Sequence, residues 1–84
     1  MKIIILDAEK LTSKNAAHEY LADCMKFPAY YGKNLDALTD CLSELSKNTA
    51  VIFKNTVHAG EYAGVIFEIF DEFLKKDFRI IYFN

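Results

Sequence analysis

Three carboxylate side chains recur at four-residue spacing in the middle of the sequence, at Asp36, Asp40 and Glu44. Residues four apart lie on the same face of an α-helix, so these acids are expected to form one negative stripe. Two carboxylates can serve as general acid and general base when their surroundings hold the two pKa values apart. No such surroundings are evident, because the opposite helix face is made of leucines and the stripe therefore faces solvent. These residues do not predict an enzyme.

Metal binding is the second chemistry that this acidic stripe could support, since Ca²⁺ and Mg²⁺ prefer oxygen ligands. From Asp36 to Glu44 the stripe extends about 12 Å at 1.5 Å per residue, which is too long for one ion to bridge. The two histidines and two cysteines do not have the spacing of a zinc site. The sequence also has no Gly-rich phosphate loop and no nucleophile elbow. We therefore expect no metal site and no cofactor.

Two interpretations of the acidic stripe stay open on the residues alone. It is either a solvated helix face, on which the helix dipole stabilises Asp36, or an electrostatic template for a cationic partner. The aromatic pair Tyr30 and Tyr31 comes just before it, followed by Gly32. Loop tyrosines beside a charged face are favoured as interface anchors, although one of the two could instead pack over the edge of a sheet. Residue types and spacing thus favour a binding module without naming its partner.

Hydrophobic periodicity predicts the elements that position these side chains. Continuous apolar runs are typical of strands buried on both faces, whereas apolar residues at 3.6-residue spacing indicate amphipathic helices. The strands are predicted over residues 3–6, 50–53 and 78–83. The helices are predicted over residues 13–26, 34–46 and 61–76. Thr12 or Ser13 is the expected N-cap of the first helix and Asn34 that of the second.

Strands separated by helices that cross over a sheet usually pair in parallel. The predicted fold class is therefore α/β, with a small three-stranded parallel sheet packed with three main helices. The 84 residues, with no evident linker, are expected to form a single domain over residues 1–84. Apolar residues make up 52% of the chain, which excludes a disordered protein.

The net charge and the cysteine content limit the possible partners of the protein and its cellular compartment. A net charge of −2 argues against a general nucleic-acid binder, which needs a cationic face. No apolar run approaches the roughly 20 residues that cross a bilayer, so no membrane partner is expected. Cys24 and Cys41 are interpreted as a pair of buried free thiols in a cytoplasmic protein.

Residues 27–42 read Phe-Pro-Ala-Tyr-Tyr-Gly-Lys-Asn-Leu-Asp-Ala-Leu-Thr-Asp-Cys-Leu. This run closely resembles the barstar family of ribonuclease inhibitors, whose signature is Pro-x-Tyr-Tyr-Gly-x-Asn-Leu-Asp-Ala-Leu-x-Asp-x-Leu, and the predicted order of elements agrees along the chain. The resemblance implies a cytoplasmic inhibitor, or immunity protein, that plugs the cationic active site of an extracellular-type ribonuclease similar to barnase. It further implies a one-to-one complex and a monomer when free.

The resemblance also assigns partner-binding residues. Asp40 would be the central carboxylate, at the place where the substrate phosphate sits in the nuclease. Ser43 stands where the founding member has threonine, and Glu72 matches a peripheral interface glutamate. The loop of residues 28–33, here called the Tyr loop, and the acidic stripe contribute most of the other residues. The expected partner-binding set is Tyr30, Tyr31, Asn34, Leu35, Asp36, Thr39, Asp40, Ser43, Glu44 and Glu72.

Three positions depart from the family pattern. Thr39 and Leu45 stand where the founding member carries tryptophans, and Glu44 stands where it carries glycine. Two large contact surfaces are thus missing and one negative charge is added. Two alternatives to a ribonuclease inhibitor therefore stay open. One is a module of the same fold that acts on a different toxin or a non-nuclease partner, and the other is a small enzyme or ion-binding domain that uses the stripe.

Overall fold

The computed structural model describes all 84 residues, and its elements follow the predicted order of strand, two helices, strand, helix, strand. The elements are β1 (Lys2–Asp7), α1 (Lys14–Met25), α2 (Leu35–Ser43), β2 (Thr49–Lys54), α3 (Ala63–Leu74) and β3 (Ile80–Tyr82). Short 3₁₀ turns follow β1, β2 and α3, at Ala8–Lys10, Thr56–His58 and Lys75–Asp77. None of the helices has the length and apolar character needed to span a membrane.

The three strands form one parallel sheet in the order β1-β2-β3, which confirms the predicted fold class. Ile5 pairs with Ile52, and Ile52 pairs with Ile81, so one row of isoleucines crosses the whole sheet. The third strand is shorter than the predicted residues 78–83, since its ladder covers only three residues. Each crossover contains helix, as parallel pairing requires.

Only one face of the sheet is buried, so the prediction of strands buried on both faces is wrong. In β1, Ile4 and Leu6 are buried, whereas Ile3 and Ile5 are 57% and 59% exposed. Alternate residues of a strand point to opposite faces, and the helices here cover one face. A continuous apolar run does not reveal this, because Ile3 and Ile5 are as apolar as their buried neighbours.

Phe53 of β2 lies at the centre of the core. Its ring centroid is 5.0 Å from those of Phe67 and Phe70 on α3, and it stacks on Tyr82 of β3 at 5.9 Å. Edge-to-face and stacked aromatic pairs of this kind contribute beyond the area that they bury. They fasten α3 to the sheet, and α3 in turn supports α2.

The N-caps of α1 and α2 are those that the sequence predicts. The Ser13 side chain accepts a hydrogen bond from the Ala16 amide at 3.2 Å, which fixes the start of α1. The end of α2 differs from the prediction, because the helix stops at Ser43 rather than Ser46. The Leu45 amide donates to the Leu42 carbonyl at 3.1 Å, so the last turn tightens and the chain leaves the helix.

Arg79 is buried and ties the start of β3 to the connection between α2 and β2. Its Nε donates to the Thr49 carbonyl at 2.9 Å, and its Nη2 donates to the Ser46 carbonyl at 2.8 Å. Asp77 lies 3.6 Å from the guanidinium and balances its charge. The segment that follows α2 is therefore held by the Arg79 guanidinium, which comes from a distant part of the sequence.

Both cysteines are free, but the prediction of a buried pair is wrong. Cys24 is exposed and Cys41 is half-buried. Ala17, Leu21 and Met25 occupy the inward face of α1 at four-residue spacing, and Cys24 falls outside that face.

Candidate protein-binding site

The start of α2 is fixed by Asn34. Its Oδ1 accepts a hydrogen bond from the Ala37 amide at 2.8 Å, and its Nδ2 donates to the Gly32 carbonyl at 3.3 Å. One side chain thus caps the helix and holds the end of the preceding loop. The orientation of α2 relative to that loop is set by these two contacts.

The acidic stripe of α2 faces solvent. Asp36, Asp40 and Glu44 are all exposed, while Leu38 and Leu42 on the opposite side are buried in the core. The two ion pairs of the molecule join other residues, so none of these carboxylates has a cationic partner within the chain. The stripe therefore offers three negative charges to solvent, two from α2 and one from Glu44, the C-cap residue just after its last turn.

A cleft of about 500 Å³ lies between the Tyr loop and the C-terminal half of α2. It brings together Tyr30, Asp40, Ser43 and Glu44 of the predicted set. The other lining residues are Lys2, Met25, Lys26, Phe27, Pro28, Cys41, Leu45, Ser46 and Thr49. An exposed aromatic ring and two carboxylates thus meet in a space large enough to admit side chains of another protein.

The two loop tyrosines have opposite environments. Tyr30 is 88% exposed, whereas Tyr31 is only 8% exposed and packs on Phe27 with a ring separation of 4.8 Å. The Tyr31 hydroxyl lies 2.6 Å from Nδ1 of His18, and burial raises the pKa of this tyrosine. The aromatic ring available to a partner is therefore that of Tyr30 and not that of Tyr31.

The remaining predicted residues lie outside this cleft. Leu35 and Thr39 are half-buried on α2, with Leu35 packed against the core. Asp36 and Asn34 lie at the opposite end of α2 from the cleft. Glu72 is exposed on α3, the helix that packs on α2. The predicted set is thus spread over one helix, the loop before it and one neighbouring helix.

The half-buried thiol of Cys41 lies close to two negative charges of the acidic stripe. Burial raises its pKa, and the Glu44 and Asp40 carboxylates raise it further. A thiol in such surroundings stays protonated and is a weak nucleophile. No group of three or more His, Cys, Asp or Glu side chains is arranged to hold a metal ion.

A family model described as "Barstar (barnase inhibitor)" matches residues 1–79. The chain belongs to the barstar family. It is also similar to a Bacillus subtilis (strain 168) protein named "Putative ribonuclease inhibitor YrdF". The two are 36% identical over 89 aligned positions, which cover 96% of this chain and 98% of that relative. The resemblance seen in residues 27–42 is confirmed, and the family places the chain among inhibitors and not among enzymes.

His18 is absent from the predicted partner-binding set, yet it is completely buried and its Nδ1 lies 2.6 Å from the hydroxyl of Tyr31 in the Tyr loop. The signal for its burial was present, because His18 lies three residues before Leu21 and seven before Met25 on the inward face of α1. Its contact with the loop joins residues 13 positions apart and has no local signature.

Proposed function

We propose that this barstar-family protein inhibits a barnase-like ribonuclease by occupying its active site with α2 and the Tyr loop. One copy acts on one nuclease, as a monomeric single-domain immunity protein in the cytoplasm of the producing cell. The observation that carries the proposal is the cleft in which Tyr30, Asp40 and Glu44 come together at the exposed face of a capped helix. The partner-binding set predicted from the sequence is proposed here as the contact surface.

Electrostatics explains how such a surface would block a nuclease. An enzyme that binds RNA presents fixed cations to a polyanion. Carboxylates one helical turn apart, at about 6 Å, can lie where successive negative groups of the substrate lie. Because the carboxylates of the stripe have no cationic partner to give up, binding would break no ion pair of the free inhibitor. Complementary fields also accelerate encounter.

Asp40 is the proposed centre of this surface. Ser43 donates a hydrogen bond from Oγ to the Asp40 carbonyl at 2.7 Å, which stabilises the last turn of α2 and leaves the carboxylate directed outward. Tyr30 adds an exposed apolar ring on the other side of the cleft. An anchoring aromatic beside a charged group is a common arrangement at the centre of interfaces. Binding excludes RNA from the nuclease without any chemical step.

Replacing Asp40 tests this assignment. Asp40→Ala is expected to weaken binding to a cognate nuclease by at least about 30-fold, since central charged hot spots cost about 2 kcal/mol or more. Calorimetric titration against a panel of barnase-like ribonucleases gives the affinity, and RNA cleavage assays give the inhibition. Asp23→Ala is the matched control, because Asp23 is also an exposed helical aspartate but lies on α1. Equal affinity of the two variants would contradict the proposed interface.

The departures at the cleft support a second candidate, an inhibitor of a different cationic toxin. Glu44 lines the cleft, and Leu45 lines it where the founding member of the family has tryptophan. A surface with less aromatic area and more charge suits a partner with more exposed cations. Failure to bind every ribonuclease of the panel, together with Asp40-dependent binding to another basic toxin, would favour this candidate.

A further inference from the structure

Phe78 combines a left-handed backbone with an almost fully exposed side chain. It follows the 3₁₀ turn after α3 with φ of 57° and ψ of 38°, and it is 92% exposed. Its amide closes the turn by donating to the Lys75 carbonyl at 3.0 Å, a contact that does not involve the ring. Glycine and asparagine adopt this conformation readily, whereas a bulky side chain makes it unfavourable. The fold of the free chain therefore does not need a phenylalanine here.

Few aromatic side chains of the molecule are exposed to this extent. Among seven phenylalanines and five tyrosines, Phe78 at 92% and Tyr30 at 88% are the most exposed, and Phe83 follows at 65%. A single exposed apolar residue is common on a protein surface. Phe78 differs because its exposure coincides with an unfavourable backbone conformation, a combination that is concentrated at functional sites.

Phe78 lies beside the cleft of the proposed interface. The ladder pairs Val51 with Ile80, so two residues earlier in both strands Phe78 comes next to Thr49. On its other side Thr49 pairs with Lys2, and both of these residues line the cleft. Phe78 thus occupies the third position of a row at the amino edge of the sheet, and the other two positions belong to the cleft.

The proposed contact residues at the ends of α2 and α3 lie towards the same edge, because each helix leads into a strand that starts there. Glu44 follows the last turn of α2, and Glu72 lies in the last turn of α3. Directly after Phe78, the buried Arg79 holds the Ser46 carbonyl of the cleft at 2.8 Å. The backbone that carries the exposed ring is therefore fixed to the segment that lines the cleft.

The charges around Phe78 differ from those of the acidic stripe. Lys75 and Lys76 precede it and belong to neither ion pair of the molecule, while Asp77 is paired with Arg79. An excess of positive charge does not suit the cationic centre of a nuclease. The phenyl ring offers apolar area and no hydrogen bond, so the surface that matches it is an apolar patch.

We propose that Phe78 is a further partner-contact residue, whose ring packs on an apolar patch of the target nuclease beside its cationic active site. This inference rests on the proposed function, and it extends the contact surface from α2 across Thr49 to the start of β3. The fixed backbone leaves little ordering to be done when the ring is buried. Loss of this aromatic contact is expected to weaken affinity by about five- to tenfold.

Phe78→Asn separates binding from stability. Asparagine tolerates the left-handed conformation, so the urea midpoint of this variant should equal or exceed that of the parent chain. Calorimetric titration against the most tightly bound ribonuclease of the panel should show the loss of about five- to tenfold. Phe78→Tyr keeps the ring and should bind within about twofold of the parent. A clearly lower urea midpoint for Phe78→Asn would show a structural role and overturn the proposal.

Phe83→Asn is the matched control. Phe83 is also exposed, but it follows β3 at the opposite edge of the sheet, away from the cleft. Its replacement should leave the affinity for the ribonuclease within about twofold of the parent, because this ring lies outside the proposed contact surface. Equal affinities of Phe78→Asn and Phe83→Asn would contradict the assignment of Phe78 to the interface.

The dependence on salt identifies the kind of contact. Ions screen the attraction between a carboxylate and a cationic site but leave an apolar contact almost unchanged. The loss caused by Phe78→Asn should therefore be the same at low and at moderate salt, whereas the loss caused by Asp40→Ala should shrink as salt is added. A Phe78 effect that disappears at the higher salt would contradict an apolar contact.

The two single variants also separate this inference from the proposed function. If Asp40→Ala weakens binding and Phe78→Asn does not, the proposed function stands and this inference fails. If only Phe78→Asn weakens binding, the Phe78 contact stands and the proposed centre at Asp40 fails. Absence of binding to every ribonuclease of the panel overturns both.

A second copy of the chain is the other possible occupant of the Phe78 ring. Analytical ultracentrifugation of the free parent chain at the titration concentrations should show a monomer. A dimer that Phe78→Asn dissociates would assign the ring to self-association and overturn the proposed contact with the nuclease.

Discussion

At the scale of single residues, His18 makes stability depend on pH. Burial, and then the Lys14 charge, lower its pKa in the folded chain below the ordinary value of 6.5. As pH falls below about 6.5, the unfolded chain takes up a proton that the folded chain resists, so the free energy of unfolding decreases towards acid pH. The loss continues until the lowered folded-state pKa is reached, with a slope of at most about 1.4 kcal/mol per pH unit.

Urea denaturation between pH 7 and pH 5 measures this effect. The midpoint of the parent chain is expected to fall more steeply with acidification than that of His18→Asn, which cannot titrate in this range. The carboxylates of both chains are the same, so the difference isolates the histidine. Parallel profiles for the two chains would show that His18 has the same pKa folded and unfolded.

At the scale of elements, the cap of α2 governs both stability and the presentation of the stripe. Asn34→Ala removes the acceptor for the Ala37 amide and is expected to destabilise the chain by about 1 kcal/mol. Asn34→Asp retains that acceptor and loses only the donor to the Gly32 carbonyl, so it should cost less than about 0.5 kcal/mol. Unfolding in urea measures both variants, and equal stability of Asn34→Ala and the parent would contradict the role of the cap.

The elements also show where sequence patterns are reliable. The sequence predicts Thr12 or Ser13 as the N-cap of α1 and Asn34 as that of α2, and the caps are Ser13 and Asn34. These positions are readable from the sequence because an N-cap depends on a side chain and amides two or three residues away. The end of α2 was placed at Ser46, three residues too far along. Its true end at Ser43 depends on the tight turn at Leu45 and on Arg79, which holds the Ser46 carbonyl from 33 residues away.

At the scale of the whole molecule, the chain is a two-layer structure. Its extents are 32 × 28 × 18 Å, and the short dimension suits one sheet covered by one layer of helices. The acidic stripe belongs to the helix layer, while the uncovered sheet face, with Ile3, Ile5 and Ile81, lies on the other side. Binding through α2 therefore leaves the outer sheet face unchanged.

Alanine substitutions on the two faces of β1 test this one-sided burial. Leu6→Ala should destabilise the chain by about 2–5 kcal/mol, because Leu6 is completely buried. Ile5→Ala, at the next position, should cost about 1 kcal/mol or less, since more than half of the Ile5 side chain faces solvent. Urea denaturation of both variants gives the comparison. Equal costs would indicate that the outer face is covered in solution.

The sequence by itself determined the order of the elements, the parallel α/β class, the N-caps, the acidic stripe and the family. Each of these depends on periodicity, on a few adjacent residues or on an ungapped run, and all are local. Tertiary structure alone decided which face of the sheet is covered, which tyrosine is exposed and that His18 contacts the Tyr loop. The physical reason is that apolar character gives a residue a preference for burial, whereas the packing of elements distant in sequence decides which apolar residues are actually buried.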